Sequence, residues 1–284
     1  MSIQVARLPG NRLHLQHGPI DLVIGANGAR EPAFAAAEDR FATILAELTA
    51  ELGLLRRPVT AGAVPKGAVA RRMHQAARPF ADGRTTPMVA VAGAVAETVL
   101  AAMTDAAPLD RAYVNNGGDI ALHLRGAARF DVALATPDGG RWGSMGLTAS
   151  DAPRGIATSG RGGRSHSLGI ADAVTVLAPS AAMADAAATI IANAVDLPGH
   201  PAVLRKPARE LREDSDLGEA PVTLALGPLS PEDTARALES GLRRATELQQ
   251  SGLIAGAALF LRGQARLLGL PAYQRHPLKE FAYA

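Results

Sequence analysis

The chain has 284 residues, 48% of them hydrophobic and 20% charged, and no cysteine, which allows one large domain or two intimate halves around a core that needs no staples. Without cysteine there are no disulfides, thiolate metal sites or thiol nucleophiles. The pI near 9.3 accompanies a net charge of only +2 and dispersed arginines, so the basic, aromatic-interleaved stripe that favours nucleic acid is missing.

Taken in chain order, residues 12–17 and 20–25 read as strands joined by Gly18-Pro19. A helix is predicted over 31–55, with Phe34, Phe41, Ile44, Leu45, Leu48 and Leu52 at helical spacing. Residues 58–87, rich in Pro, Gly and Arg, read as surface chain. An Ala-rich helix over 87–104, apolar on most faces, is expected to be buried. Strands are predicted at 111–115, 119–124, 129–135, 144–149 and 170–178, followed by a helix at 180–195. Residues 197–220 read as an excursion or linker, and 222–226 as a strand. Ser230-Pro231-Glu232-Asp233 then starts a helix reaching Gln250, with a Ser N-cap, Pro in the first turn and acidic residues at the positive end. Strands at 253–261 and 264–269 close the chain. Strands and helices mix without a βαβ rhythm, which indicates an α+β fold.

The opening residues lack a charged stretch followed by an apolar one, so no export signal is read. The apolar run Met88–Ala96 is broken by Glu97 and is too short to cross a bilayer, which takes ~20 residues. A cytoplasmic protein with no membrane partner is expected.

Four stretches invite a chemical reading. Leu22–Gly28 has G-x-x-G spacing rather than G-x-G-x-x-G and reads as a plain strand-to-helix turn. Asn116-Gly117-Gly118-Asp119 suits either a tight hairpin or close backbone approach to a ligand. Gly155–Ser167, read as a glycine-rich loop, concentrates hydroxyls, glycines, Arg161, Arg164 and His166, either the backbone donors and guanidinium forks that a pyrophosphate needs or a mobile Gly/Ser surface loop. Asp185 and Thr189 are four apart on an apolar helix and share a face. They supply hard oxygens suited to Mg²⁺, or else a helix-start charge and a hydroxyl bonded back to the backbone.

The order of these motifs resembles the ApbE-like superfamily, whose characterised members are FAD:protein FMN transferases. The matching stretches are Asn116-Gly117-Gly118-Asp119-Ile120, Ile156-Ala157-Thr158-Ser159-Gly160, and Val174-Thr175-Val176 through Asp185 to Thr189. Ala92-Gly93-Ala94-Val95-Ala96-Glu97 is similar to a degenerate form of the family's Lys-Gly segment. The resemblance is strongest over 85–195 and implies one ApbE-like domain, of mixed sheets flanked by helices, over 1–284. It further implies FAD or FMN as cofactor and Mg²⁺ on Asp185 and Thr189. The nucleotide would be surrounded by Asn116, Gly117, Gly118, Asp119, Thr158, Ser159, Gly160, Arg161 and Arg164. His166 and Asp185 are the candidate catalytic residues, since an imidazole titrates near neutrality. The family's His-x-x-Asp-Pro-x-Thr-Gly segment is replaced by His166-Ser167-Leu168-Gly169-Ile170-Ala171-Asp172. The chain is thus similar to the superfamily's cytosolic branch.

Three functions stay open at this stage: a Mg²⁺-dependent FAD pyrophosphatase or FMN transferase-like enzyme, a non-catalytic nucleotide binder, and an accessory factor in sulfur assimilation and homocysteine formation. The expected partner is a small-molecule nucleotide, with homo-oligomerisation left open.

Overall fold

The structure is a computed structural model that describes residues 3–275 apart from 61, 136–140, 164–165, 214 and 216. Its strands are β1 Gln4–Leu8, β2 Arg12–His17, β3 Ile20–Gly28, β4 Leu109–Asn116, β5 Asp119–Leu124, β6 Arg129–Ala135, β7 Arg141–Thr148, β8 Gly155–Ser159, β9 Ala173–Ala178, β10 Val203–Pro207, β11 Pro221–Leu226, β12 Gly256–Leu261, β13 Gln264–Leu268 and β14 Gln274–Arg275. Its helices are α1 Arg30–Ala50, α2 Leu52–Leu55, α3 Ala68–Ala77, α4 Val91–Ala106, α5 Ala181–Ala194, α6 Ala208–Leu211 and α7 Pro231–Gln250.

The backbone is organised by a nine-stranded sheet in the order β1-β2-β3-β4-β5-β8-β9-β12-β13, antiparallel at every step. Strands from both ends of the described chain share it, which is the α+β architecture expected from the sequence. Side chains alternate between its faces as a pleat requires. Along β12, Ala257, Leu259 and Leu261 join the helical core, while Ala258 and Phe260 join a second cluster with Trp142, Met145 and Leu147. The first face is covered by helices, and the second by the three-stranded sheet β14-β7-β6.

Several sequence expectations need correction. Residues 58–87 do not simply wander over the surface, because α3 lies within them and buries Val69, Ala70, Met73, Ala76 and Ala77. The helix expected over 31–55 ends at Ala50, and α2 is a separate turn beyond Glu51. Strand β1 was not anticipated. The 197–220 excursion is partly regular, since β10 pairs with β11. The glycine-rich stretch begins as β8, an interior strand between β5 and β9. The apolar helix is also longer than the Met88–Ala96 run: Pro87–Ala106 has 20 residues and a mean hydropathy of 1.6, enough to cross a membrane by length and composition. Here it is a core helix, with Ala94, Val95, Ala96, Val99 and Met103 fully buried.

Candidate functional site

Helix α5 is the axis of the site. Ser180 starts it, its hydroxyl accepting from the Met183 amide at 3.3 Å, as an N-cap does. Two glycines let this start sit unusually deep. A Cβ on Gly93 of α4 would come within 2.2 Å of the Ala181 carbonyl oxygen, and one on Gly155 of β8 within 2.2 Å of that of Ser180. Backbone thus packs on backbone, which no larger residue permits.

That depth brings α4 and α5 close enough to cap one another. Helix α4 has no side-chain cap of its own, and its Gly93 amide donates to Asp185 Oδ2 at 3.0 Å. Reciprocally, the Ala182 amide of α5 donates to Glu97 Oε1 of α4 at 2.9 Å. Each carboxylate meets the free amides and positive dipole end of the other helix.

The two carboxylates differ in charge balance. Glu97 has a counter-ion, Arg72 Nε, 3.2 Å from Oε2. On Asp185 another acid acts instead: the charge of Asp119, at the start of β5, disfavours its ionisation. Burial is the larger of the two effects, and together they push the Asp185 carboxyl well above the usual carboxylate range, against the opposing pull of the Gly93 and Ala92 amides. The residue nevertheless keeps intermediate surface exposure.

The hairpin that delivers Asp119 follows from its sequence. Gly117 and Gly118 have φ of 65° and 114°, and Asn116 pairs with Asp119 across them. This is the two-residue loop with positive φ that Asn and Gly favour. The Gly118 amide donates to Asn115 Oδ1 at 2.8 Å. Asn116 is buried and its Nδ2 donates to the Ala92 carbonyl at 3.1 Å, tying the hairpin to the start of α4. Turn chemistry and site geometry are here the same feature.

One turn beyond Asp185, Thr189 Oγ1 lies 3.5 Å from Ser159 Oγ, a long contact by hydrogen-bond standards. Asn116, Asp119, Ser159, Asp185 and Thr189, drawn from β4, β5, β8 and α5, are therefore brought to one place beside Ala92-Gly93. Thr158 is not among them. Strand alternation turns it to the sheet's other face, where its hydroxyl pairs with Thr175 at 2.9 Å. Gly160 follows at φ 144°, a Cβ there lying 2.8 Å from the Asp172 carbonyl. Arg161 is ion-paired with Asp172 at 2.6 Å, and His166 is exposed. Arg164 lies outside the described residues.

Sequence reasoning missed Arg72 as the partner of Glu97, and the amide role of Gly93. The signal for the first was the apolar spacing Val69, Met73, Ala76, Ala77, which makes α3 a packed helix and brings Arg72 against α4. Two surface hollows, of about 220 and 380 Å³, lie at the far end of β4, around Leu109, His123 and Arg125 and around Arg111 and Arg129. From Leu109 to Asn116 is ~24 Å of extended strand. Of the polar side chains there, Arg129 pairs with Asp131 and Arg111 with Asn27, and neither hollow holds any of the residues gathered beside Ala92-Gly93.

The motifs whose order resembles the ApbE-like superfamily thus meet on one sheet and two helices, α4 and α5, and the class of the protein is ApbE-like. Its particular family is the one described as AbpE bacteria: that family's model matches residues 5–267, and the chain belongs to it. A UPF0280 protein of Methanopyrus kandleri is 38% identical over 158 residues, covering 55% of this chain and 61% of the relative. One from Methanothermobacter thermautotrophicus is 37% identical over 132 residues, covering 46% and 49%. The match therefore spans about half to three fifths of the length of these curated relatives. Among solved structures, the apo Pseudomonas stutzeri flavinyl transferase ApbE aligns over 96% of this chain and 94% of its own, at 13% identity and a TM-score of 0.45. The flavin transferase ApbE from Vibrio cholerae aligns over 94% and 98%, at 12% identity and a TM-score of 0.39.

Proposed function

We propose that the chain binds a flavin nucleotide, FAD or FMN, together with Mg²⁺ at the α4–α5 junction, and that it hydrolyses FAD slowly rather than flavinylating a protein. The observation that carries this reading is the enclosed Asp185 carboxyl, pressed by Asp119 while the equivalent Glu97 has Arg72. A carboxyl whose ionisation is opposed by burial and by a neighbouring acid gains most from a cation that joins it.

The donor set fits Mg²⁺. Asp185, Asp119 and the Thr189 hydroxyl are all hard oxygens. Among the described residues no group of three or more His, Cys, Asp or Glu forms a cage. Mg²⁺ typically uses one or two carboxylates and fills its octahedron with water and phosphate oxygens. When bound, it would offset the charge of a pyrophosphate. The flavin part of the reading comes from the motif order shared with the ApbE-like superfamily.

The chain's own groups take defined parts. Gly93 and Ala92 amides hold one side of Asp185, while Ser159 and Thr189 offer hydroxyls to phosphate oxygens. Arg161 offers a guanidinium once it leaves Asp172, an exchange that costs little for a partly exposed pair, about 0–1 kcal/mol. In hydrolysis water adds to a pyrophosphate phosphorus, the bridging P–O bond breaks, and FMN and AMP leave. His166 takes the proton from that water.

The test is incubation of FAD with Mg²⁺ and separation of FAD, FMN and AMP over time, with mass spectrometry of acceptor proteins. Slow Mg²⁺-dependent release of FMN and AMP is expected, reduced in His166→Ala with FAD binding retained. Robust flavinylation of an acceptor would contradict the proposal. Binding without turnover would leave a nucleotide binder.

A further inference from the structure

We infer that Glu97, held by Arg72, is a positioning residue for Asp185. This rests on the reading of Asp185 as a cation-binding carboxylate, but its core is a statement about the empty protein.

The α4–α5 contact has two polar rungs pointing in opposite directions. Gly93 N–H to Asp185 Oδ2 is one, at 3.0 Å, and Ala182 N–H to Glu97 Oε1 is the other, at 2.9 Å. On α4 the rungs are four residues apart, and on α5 three, so each pair occupies one helix face. The helices run antiparallel between the rungs: moving from Gly93 to Glu97 on α4 corresponds to moving from Asp185 back to Ala182 on α5. Closing the Glu97 rung therefore fixes the lateral and axial place of α5 where Asp185 must reach Gly93.

Glu97 is itself tied down. Its second oxygen takes the Arg72 Nε at 3.2 Å, and Arg72 Nη1 reaches Thr98 Oγ1 at 3.5 Å, so α3 braces the rung from outside. The glycine contacts supply depth but no direction, since Gly93 and Gly155 meet the Ala181 and Ser180 carbonyls only by close packing. The Glu97 hydrogen bond supplies the register. Both Glu97 oxygens are taken, by the Ala182 amide and by Arg72. The residue acts through the helix, in the way an outer partner orients a metal ligand, and losing such a partner costs ~10–100-fold in metal affinity.

Two variants separate positioning from simple support. Glu97→Ala removes the acceptor of the Ala182 amide, whereas Glu97→Gln keeps a carbonyl oxygen there and rescues the rung. Hydrogen exchange at the Gly93 amide, in the full chain without ligand, reads the Asp185 contact directly. Faster exchange at Gly93 is expected in Glu97→Ala and near wild-type protection in Glu97→Gln. In Mg²⁺ titrations with FAD present, Glu97→Ala should weaken the apparent Mg²⁺ affinity ~tenfold and Glu97→Gln should restore most of it. A wild-type protein that ignores Mg²⁺ would remove the cation reading, while Gly93 exchange would still decide the positioning claim. Unchanged Gly93 protection in Glu97→Ala overturns that claim, as does equal loss in both variants.

Discussion

The Gly93 amide and the Asp185 carboxylate, 92 residues apart in sequence, are 3.0 Å apart in space. The bond joins the uncapped start of one buried helix to the side of another, and it holds a desolvated carboxyl next to a second acid, Asp119. Stability and binding are set against each other at this point.

Gly93→Ala is expected to destabilise the protein by about 1–3 kcal/mol, the usual cost of overpacking a close-packed core. Its Cβ would sit 2.2 Å from the Ala181 carbonyl oxygen, which belongs to helix backbone and has little room to move. Gly53→Ala is the control: it lies in α2, where a Cβ meets nothing within 4 Å, and should be neutral or stabilising by up to ~1 kcal/mol. Urea unfolding midpoints of the two variants check this, and equal midpoints would remove the wedge.

Asp185→Asn should stabilise the metal-free protein at neutral pH. The folded-state pKa of Asp185 is raised above the ~3.9 of an unfolded aspartate. The cost of ionising it in the fold is thus absent below pH ~4, grows between the two pKa values, and is complete above the folded one. In EDTA the variant should melt higher than wild type near pH 7, by ~2–4 °C for each kcal/mol relieved, and the gap should close toward pH 4. A lower melting temperature at pH 7 would mean that the charged Asp185 stabilises the fold.

Because a bound cation needs the ionised carboxylate, Mg²⁺ affinity should strengthen as pH rises through the raised Asp185 pKa and level off above it. Binding below that point should release a proton. Calorimetry in two buffers of different ionisation enthalpy measures the proton count. A flat pH profile with no proton release would place the cation elsewhere.

How much of this was legible in the sequence depends on range. The pairing of Asp185 with Thr189 on one helix needed only the four-residue spacing, and α5 carries both. The Asn116–Asp119 turn was legible because Gly-Gly between strands has few other uses. The apposition of Asp119 and Asp185 was not, because it depends on β5 and α5 meeting across a sheet whose strand order no local pattern encodes. Helix α3 was hidden by its neighbours: the Pro, Gly and Arg around it pointed to surface chain, although Val69, Met73, Ala76 and Ala77 stood at helical spacing. Strand β8 was mistaken for loop because Gly155, Thr158, Ser159 and Gly160 are turn formers, and only the short Ile156-Ala157 pair carried the buried signal.

That correction sharpens the expectation for the glycine-rich stretch. Residues 155–159 sit inside the sheet and should be protected from hydrogen exchange with or without nucleotide. Residues 160–163, which leave it, should slow when nucleotide is added. Slowing confined to the strand, or none at saturating ligand, would remove Arg161 from the binding surface.

The most direct measurement is FAD binding by the wild-type protein and Asp185→Asn, each titrated with and without Mg²⁺ while flavin fluorescence is followed. Mg²⁺ is expected to tighten FAD binding by wild type at least tenfold, which is about 1.4 kcal/mol, and to leave the variant unchanged. Equal Mg²⁺ dependence in both proteins would contradict the assignment and return Asp185 to the role of a helix cap.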